Sequence, residues 1–334
     1  MMTKFYIKTY GCQMNEYDSE YISSVLINKG YYETNSYEDA DYIILNTCSV
    51  REKAEKKVYS EIGRIKKLKR KDREIKIGIC GCVAQQQGYN IMERFKDVSF
   101  VVGTDALNRF EEIMNQVELG ERIVDTDFKS NKLIKGKFKR EPSTIAYVSI
   151  MKGCNNYCSY CIVPYVRGRE ISRDPEEILD EIKYLVELGY KEVILLGQNV
   201  NSYGKTLDET INFPKFLSMV NNINGLERIR FVTSHPKDFD EDLIFAMRDN
   251  EKVCEQIHLP IQSGSNKILK SMNRKYTSQE YLKKIEKLKK YIPNIAISSD
   301  FIVGYPGESE GDFNDTLNIL NEVKYIMYFL LSIL

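Results

Sequence analysis

Six of the eight cysteines fall into two sets of three, and the tighter set lies in KGCNNYCSYCIVPY, residues 152–165, as Cys154, Cys158 and Cys161 with C-x3-C-x2-C spacing. Thiolates this close in sequence can wrap one soft metal centre, either zinc or an iron–sulfur cluster. A closed zinc site wants a fourth Cys or His nearby, and none follows; His235 and His258 are both distant in sequence. A cubane held by three cysteines instead leaves one iron open to an outside ligand. The second set is dispersed: Cys12 in TYGCQMNEYDSE, Cys48 in NTCSVREKAEKKV and Cys82 in CGCVAQ each end a predicted strand. The carboxyl ends of parallel strands share one sheet edge, so cysteines far apart along the chain can converge there. Cys80 lies on the same face of its predicted strand as Cys82 and reads as a buried, inert thiol; Cys254, far from any ligand motif, reads as structural.

The elements that must carry these cysteines follow from hydrophobic patterning. In residues 1–125, KFYIKTY, DYIILNTC, EIKIGICGC and SFVVGTD are strand-like, and NEYDSEYISSVLINKG and EKAEKKVYSEIGRIKKLKRK are helix-like. Apolar strands separated by helices predict a parallel sheet covered on both faces, hence an N-terminal doubly wound α/β domain. Residues 126–142, TDFKSNKLIKGKFKREP, are polar, basic and weakly periodic, which suits a linker. From residue 143, βα units recur with strands IAYVSIMKG, EVILLGQN, RIRFVTS, EQIHLPI and NIAISSDFIVG, and a sixth strand begins. Such a series predicts a barrel or partial barrel, with a separate open α/β sheet as the other reading. The cysteine loop follows the first of these strands, at the edge where such folds place chemistry.

Lys and Arg together number 48, as do Asp and Glu, so no global field advertises a nucleic-acid partner. RNA contact would have to be local, and the candidates are two basic runs, RIKKLKRKDREIK (64–76) and KSNKLIKGKFKR (129–140). A basic run is more often a solvated face. MMTKFYIKTYGC lacks the apolar core of a signal peptide, and YIMYFLLSIL is about half the length of a membrane span. The expected location is therefore the cytoplasm, without membrane contact, where cysteines are poor disulfide candidates.

On these motifs the chain resembles two nested families. The three-cysteine loop, with Tyr160 before its third Cys and a βα series behind it, resembles the radical S-adenosylmethionine (SAM) superfamily. That resemblance implies a [4Fe–4S] cluster on Cys154, Cys158 and Cys161 whose open iron chelates the amino and carboxylate groups of SAM. Reductive cleavage of SAM then gives a 5′-deoxyadenosyl radical. GCQMNEYDSE, NTCSVREKA and GCNNYCSYCIVPYVRGRE further resemble the methylthiotransferases, in the branch acting on isopentenylated adenosine of tRNA, and the likeness runs from residue 4 to about 323. It implies a second [4Fe–4S] cluster on Cys12, Cys48 and Cys82 holding a sulfur for transfer, one SAM as methyl donor and another as radical source. The implied product is a 2-methylthio adenosine beside the anticodon. The implied partners are the tRNA anticodon loop and an electron donor such as flavodoxin or ferredoxin, with the chain acting as a monomer.

No catalytic side chain is implied beyond the cluster ligands. Gly197, Gln198 and Asn199, at the end of the second barrel strand, stand where the superfamily often holds the SAM amino group. Gly304 and Gly307 resemble its adenine-side turn, with ordinary turn geometry as the competing reading. His235 and His258 end strands on the same edge and are either structural or near SAM or substrate, while Arg167 and Arg169 are read as SAM or phosphate contacts or as solvated arginines. Family members continue into a small RNA-binding TRAM domain, whereas IMYFLLSIL departs from their wording. The expectation is a radical SAM (β/α)6 partial barrel over 143–334 that is incomplete, lacks TRAM, and whose activity is in question. Competing readings are a methylthiotransferase for a ribosomal-protein aspartate or threonylcarbamoyl-adenosine, a non-catalytic iron–sulfur carrier, an inactive truncated product, and a zinc-stapled RNA-binding module.

Overall fold

The computed structural model describes residues 2–49, 53–68, 74–129, 133, 134, 138, 140, 143–207 and 211–333. They form two compact units, Met1–Glu141 with Ile162–Arg169, and Pro142–Cys161 with Glu170–Leu334.

In the first unit the strands are β1 (Lys4–Thr9), β2 (Tyr32–Glu33), β3 (Tyr42–Thr47), β4 (Lys76–Gly81), β5 (Val98–Val102) and β6 (Ile123–Asp125), and the helices are α1 (Gln13–Asn28), α2 (Lys53–Leu68), α3 (Cys82–Arg94) and α4 (Phe110–Glu118). The six strands are parallel in the order β2-β1-β3-β4-β5-β6. Every residue of β3 is buried, because both faces of this central strand are covered. Tyr42 and Ile44 pack with Phe5, Phe100 and Val102 under α1 and α4. Ile43 and Leu45 pack with Ile77, Ile79 and Val101 under α2 and α3. The doubly wound expectation holds, and the two strands missing from the sequence reading, β2 and β6, are edges of only two and three residues. Strand order reverses between β1 and β3, which makes their carboxyl ends the crevice in which folds of this type bind ligands.

The segment read as a linker contributes to this unit. Phe138 is buried, with its ring edge-on to Tyr17 at 5.3 Å and Tyr21 at 5.9 Å. Arg140 is buried over Phe138, at 4.4 Å, and 3.4 Å from Glu20. Two aromatic rings on α1 give these residues a surface to cover, which weak periodicity in the segment itself could not reveal. Of the second basic run, 130–132, 135–137 and 139 lie outside the described residues, and Arg140 is not a solvated cation.

After α5 (Val163–Arg167), which counts with the first unit, the second unit continues the βα series. Its strands are β7 (Ile145–Ser149), β8 (Met151–Lys152), β9 (Ile171–Ser172), β10 (Glu192–Leu196), β11 (Arg228–Phe231), β12 (Gln256–His258), β13 (Ala296–Val303) and β14 (Met327–Ser332). Its helices are α6 (Pro175–Glu187), α7 (Phe213–Asn221), α8 (Glu241–Asp249), α9 (Asn266–Ser271), α10 (Ser278–Tyr291) and α11 (Glu310–Val323). Two parallel sheets, β11-β10-β7 and β12-β13-β14, are stitched where Ile229 bridges Val253 and its amide donates to Lys252 O at 2.7 Å. Six parallel strands therefore follow one another in chain order, an open (β/α)6 arrangement with one core beneath its helices. The apolar tail supplies the sixth strand: β14 pairs with β13 along its length, and all six of its residues are exposed. Among the described residues no helix is long and apolar enough to cross a membrane.

Candidate active site

Cys12, Cys48 and Cys82 leave the carboxyl ends of β1, β3 and β4, three adjacent strands. Cys12 caps the N-terminus of α1 and Cys82 opens α3, so two helix N-termini bear on one place. Such ends present free N–H groups and favour thiolate over thiol. Two glycines let the backbone come this close. A Cβ on Gly11 would lie 2.7 Å from Cys48 Cβ, and one on Gly81, whose φ is +89°, would lie 2.3 Å from Thr47 O. Side chains then lock the crevice. Asn15 Nδ2 donates to Asn46 Oδ1 and to Thr47 O, both at 3.1 Å, and Asn46 Nδ2 donates back to Asn15 O at 2.8 Å.

The three thiols interact directly. A hydrogen bond with Cys48 holds the Cys12 thiol down to about 6; burial opposes this, and the Arg167 charge and the amides of Asn15 and Met14 add to it. Cys82 is also held down to about 6, first by Cys48, against burial, with the charge and hydrogen bond of Arg167 assisting. Arg167 is buried at the end of α5 and donates to Asp18 Oδ2 at 2.8 Å. It is neither a solvated arginine nor a surface phosphate contact, because α1 supplies a buried carboxylate for it; Arg169 is exposed. Burial pushes the Cys80 thiol well above its ordinary range, and its side chain lies in the α1/α4 core. Ionisable thiols suit a soft metal, whose ligands must be deprotonated. Cys80 lacks that property.

The second set lies in the loop between β8 and β9, which pair antiparallel and close its base. The loop is fastened at several points. Gly153 N donates to Gln198 Oε1 at 2.5 Å, Ser159 N to Met272 O at 3.1 Å, and Asn273 Nδ2 to Tyr157 O at 2.8 Å. Ser159 Oγ lies 2.7 Å from the Tyr305 hydroxyl, just beyond β13. Burial pushes Cys154 up to about 11; an amide hydrogen bond from Asn156 opposes it, and the charges of Cys161 and Cys158 raise it further. A nearby cationic charge would favour the Cys154 thiolate that burial disfavours. One cation is built in: buried Arg274 donates from Nη1 to Cys158 Sγ at 3.3 Å. Among the described residues, no three His, Cys, Asp or Glu side chains are gathered tightly enough to chelate a single ion. Thiolates on a cubane bind separate irons and need no common point. No disulfide joins the eight cysteines, all of which are described.

Residues 4–103 match the model of an uncharacterised protein family, UPF0004, and residues 148–320 match that of the radical SAM superfamily. The tRNA-2-methylthio-N(6)-dimethylallyladenosine synthase of Clostridium beijerinckii is 52% identical over 325 residues, spanning 96% of this chain and 71% of that protein. Its namesake in Clostridium novyi is 53% identical over 326 residues, spanning 96% and 72%. The chain belongs to this synthase family, within the radical SAM superfamily. The structure of TsrM from Kitasatospora setae, a radical SAM methyltransferase solved with cobalamin and a [4Fe–4S] cluster, shares the fold: TM-score 0.76 at 11% identity, over 99% of this chain and 75% of that one.

Each of the two matched regions contains one cysteine set, so the synthase family's bipartite make-up coincides with the two crevices. Around the second set lies a group of buried polar atoms without a hydrogen-bond partner among the described residues: Asn199 Oδ1, Ser234 Oγ, His235 Nε2 and Gln262 Oε1. All four residues follow the carboxyl ends of β10, β11 and β12. Orphaned buried polar atoms are rare in native proteins and point to a polar ligand. Burial and the nearby Arg274 charge lower His235 to about 2, so its ring is neutral; it sits edge-on to Tyr276, 5.8 Å away. His258 is occupied instead, with Nδ1 3.0 Å from Ser298 Oγ and Nε2 3.4 Å from Asp300.

Among the other residues the sequence singled out, Asn199 donates to Asp238 at 2.7 Å through Nδ2, while Gln198 braces the cysteine loop through Gly153. Gly197 packs against Met151, and Gly304 and Gly307 both have positive φ in the turn after β13. Tyr160 packs beside Ile268, Met272 and Ile302, with its hydroxyl 3.4 Å from Arg274. Sequence reasoning missed Arg274, Ser234 and Gln262. The available signal was weak, one of two adjacent cations in SMNRKYT and polar residues next to motifs read for their histidines.

Proposed function

We propose that the chain places a methylthio group on C2 of isopentenylated adenosine beside the anticodon of tRNA, using two [4Fe–4S] clusters and SAM. The observation that carries this reading is the pair of separate three-cysteine crevices, one in each matched region, in a chain about half identical to synthases named for that product. Cys12, Cys48 and Cys82 would hold one cluster, and Cys154, Cys158 and Cys161 the other. The cofactors supply the one-electron and radical chemistry that an unactivated aromatic C–H requires.

The chain's own residues hold and orient. Hydrogen bonds with Cys48, assisted by the Arg167 charge, keep Cys12 and Cys82 ionised for metal binding. The orphaned atoms of Asn199, Ser234, His235 and Gln262 offer hydrogen bonds to the polar groups of SAM. Gly197, Gly304, Gly307 and Tyr160 shape the same edge, and Gln198 keeps the cysteine loop in register with β10. In this reading a flavodoxin- or ferredoxin-type protein delivers the electrons, and the chain works as a cytoplasmic monomer with residues 1–125 and 143–334 as its functional halves. Mass spectrometry of tRNA from a deletion strain checks the assignment. Isopentenyladenosine should lack its methylthio group and regain it when the chain is restored; methylthio loss from a ribosomal-protein aspartate would instead assign the other branch.

For RNA, residues 64–68 of the first basic run lie on α2, where Arg64, Lys66 and Lys67 are exposed while Ile62 and Ile65 are buried, and Lys76 at its far end opens β4. Lys66 pairs with Asp97 at 3.4 Å, and Lys69 and Arg70 lie outside the described residues. We assign this face to phosphate contact. Changing Arg64 and Lys67 to Glu should weaken tRNA binding and reduce the salt slope by roughly one to two units, since each phosphate contact contributes about 0.7–0.9. An unchanged slope of log affinity against log salt removes this face from the RNA surface.

A further inference from the structure

Four arginines are buried in the described structure: Arg140, Arg167, Arg173 and Arg274. Three have a carboxylate. Arg140 lies 3.4 Å from Glu20, Arg167 lies 2.8 Å from Asp18, and Arg173 lies 2.7 Å from Glu181. Arg274 has none among the described residues. Its Nε donates to the Tyr276 hydroxyl at 2.7 Å, Nη2 to Pro260 O at 2.8 Å, and Nη1 to Cys158 Sγ at 3.3 Å and Tyr160 Oη at 3.4 Å. Both tyrosine partners are phenols, which carry no charge at neutral pH. A desolvated guanidinium without an anion is costly and ordinarily does not persist, yet this one is held by several hydrogen bonds against a thiol of the cysteine loop. The missing anion therefore belongs at the sulfurs it faces.

We propose that Arg274 is the resident counter-charge of the centre on Cys154, Cys158 and Cys161, a positioning residue that makes that centre easier to reduce. The inference rests on the iron–sulfur reading of those cysteines. When the centre takes one electron from a one-electron donor protein, the donor is oxidised by one electron and no bond or proton changes place. The centre becomes one charge more negative beside a fixed cation, and the attraction grows in a poorly screened interior. Hydrogen bonds to the sulfurs and local charge are established levers on cluster potential. At the first trio the equivalent cation, Arg167, is already balanced by Asp18, so the two centres are tuned differently.

The test is a mediated redox titration of the full chain after anaerobic reconstitution, followed by electron paramagnetic resonance. It is repeated in a Cys82→Ala background to isolate one centre. In Arg274→Gln, the ratio of reduced to oxidised centre at fixed potential should fall about tenfold, which is about 59 mV for a one-electron couple. Arg274→Lys, which keeps the charge, should recover most of that loss, and the iron content should stay at the parent level. Parent-like titration of Arg274→Gln overturns the proposal. If Arg274→Gln loses the centre, Arg274→Lys decides: a retained centre within threefold of the parent ratio supports the counter-charge, and a lost one overturns it by making the residue a structural strut. A parent chain that binds no cluster defeats the iron–sulfur reading itself, and the inference falls with it.

Discussion

The Cys158→Ala chain, reconstituted without oxygen, should carry about four irons where the parent carries about eight, and should release no 5′-deoxyadenosine from SAM. Cys82→Ala should show the same halving of iron and still release 5′-deoxyadenosine. The two outcomes differ because the sets occupy separate crevices, each built on its own parallel sheet system. Cys80→Ala is the control. Its thiol lies in the α1/α4 core, away from the ionised pair, and should keep all of its iron. Iron and sulfide analysis with chromatography of the SAM products reads all three variants. Full iron in either Cys158→Ala or Cys82→Ala contradicts the two-centre assignment.

Gly81→Ala should be strongly destabilising to the first unit. With φ +89° and ψ −154°, Gly81 occupies a region open essentially to glycine alone. An added Cβ would also stand 2.3 Å from Thr47 O and 2.5 Å from Asn46 Oδ1, between β4 and β3. Backbone strain and overpacking together should cost about 3 kcal/mol. Because Cys82 is the next residue, the variant should also lose iron from the first set. Gly120→Ala is the comparison: its φ is +92°, but nothing lies within 4 Å of the added carbon. Strain alone should cost it about 1 kcal/mol. Urea denaturation of the two variants separates the contributions, and equal losses would show that the approach of β3 to β4 is not what demands a glycine at 81.

Much of this was legible because the relevant signals are local. Runs such as DYIILNTC and EVILLGQN are short, apolar and bounded by turn residues, so strand identity and the parallel class could be read without knowing the partners. The cysteines were legible for a different reason: few side chains ligate soft metals, and their spacing is written in the chain. Roles that depend on a distant partner were not legible. Gln198 reads like Asn199, yet its Oε1 is committed to Gly153, 45 residues away, while the Asn199 Oδ1 remains unmet. Phe138 and Arg140 sit in a polar stretch and become core only because Tyr17 and Tyr21 on α1 present rings to cover.

By itself the sequence determined the two cysteine sets, the order of strands and helices, and the family, since each rests on residue type and spacing along one chain. Tertiary structure alone decided which thiols ionise and which cation has no carboxylate beside it. Those properties come from desolvation and from charges brought together across long stretches of chain: Arg167 meets Asp18 from 149 residues away, and Arg274 meets Cys158 from 116. Electrostatic energies in a poorly screened interior depend on that separation in space, and no separation in sequence stands in for it.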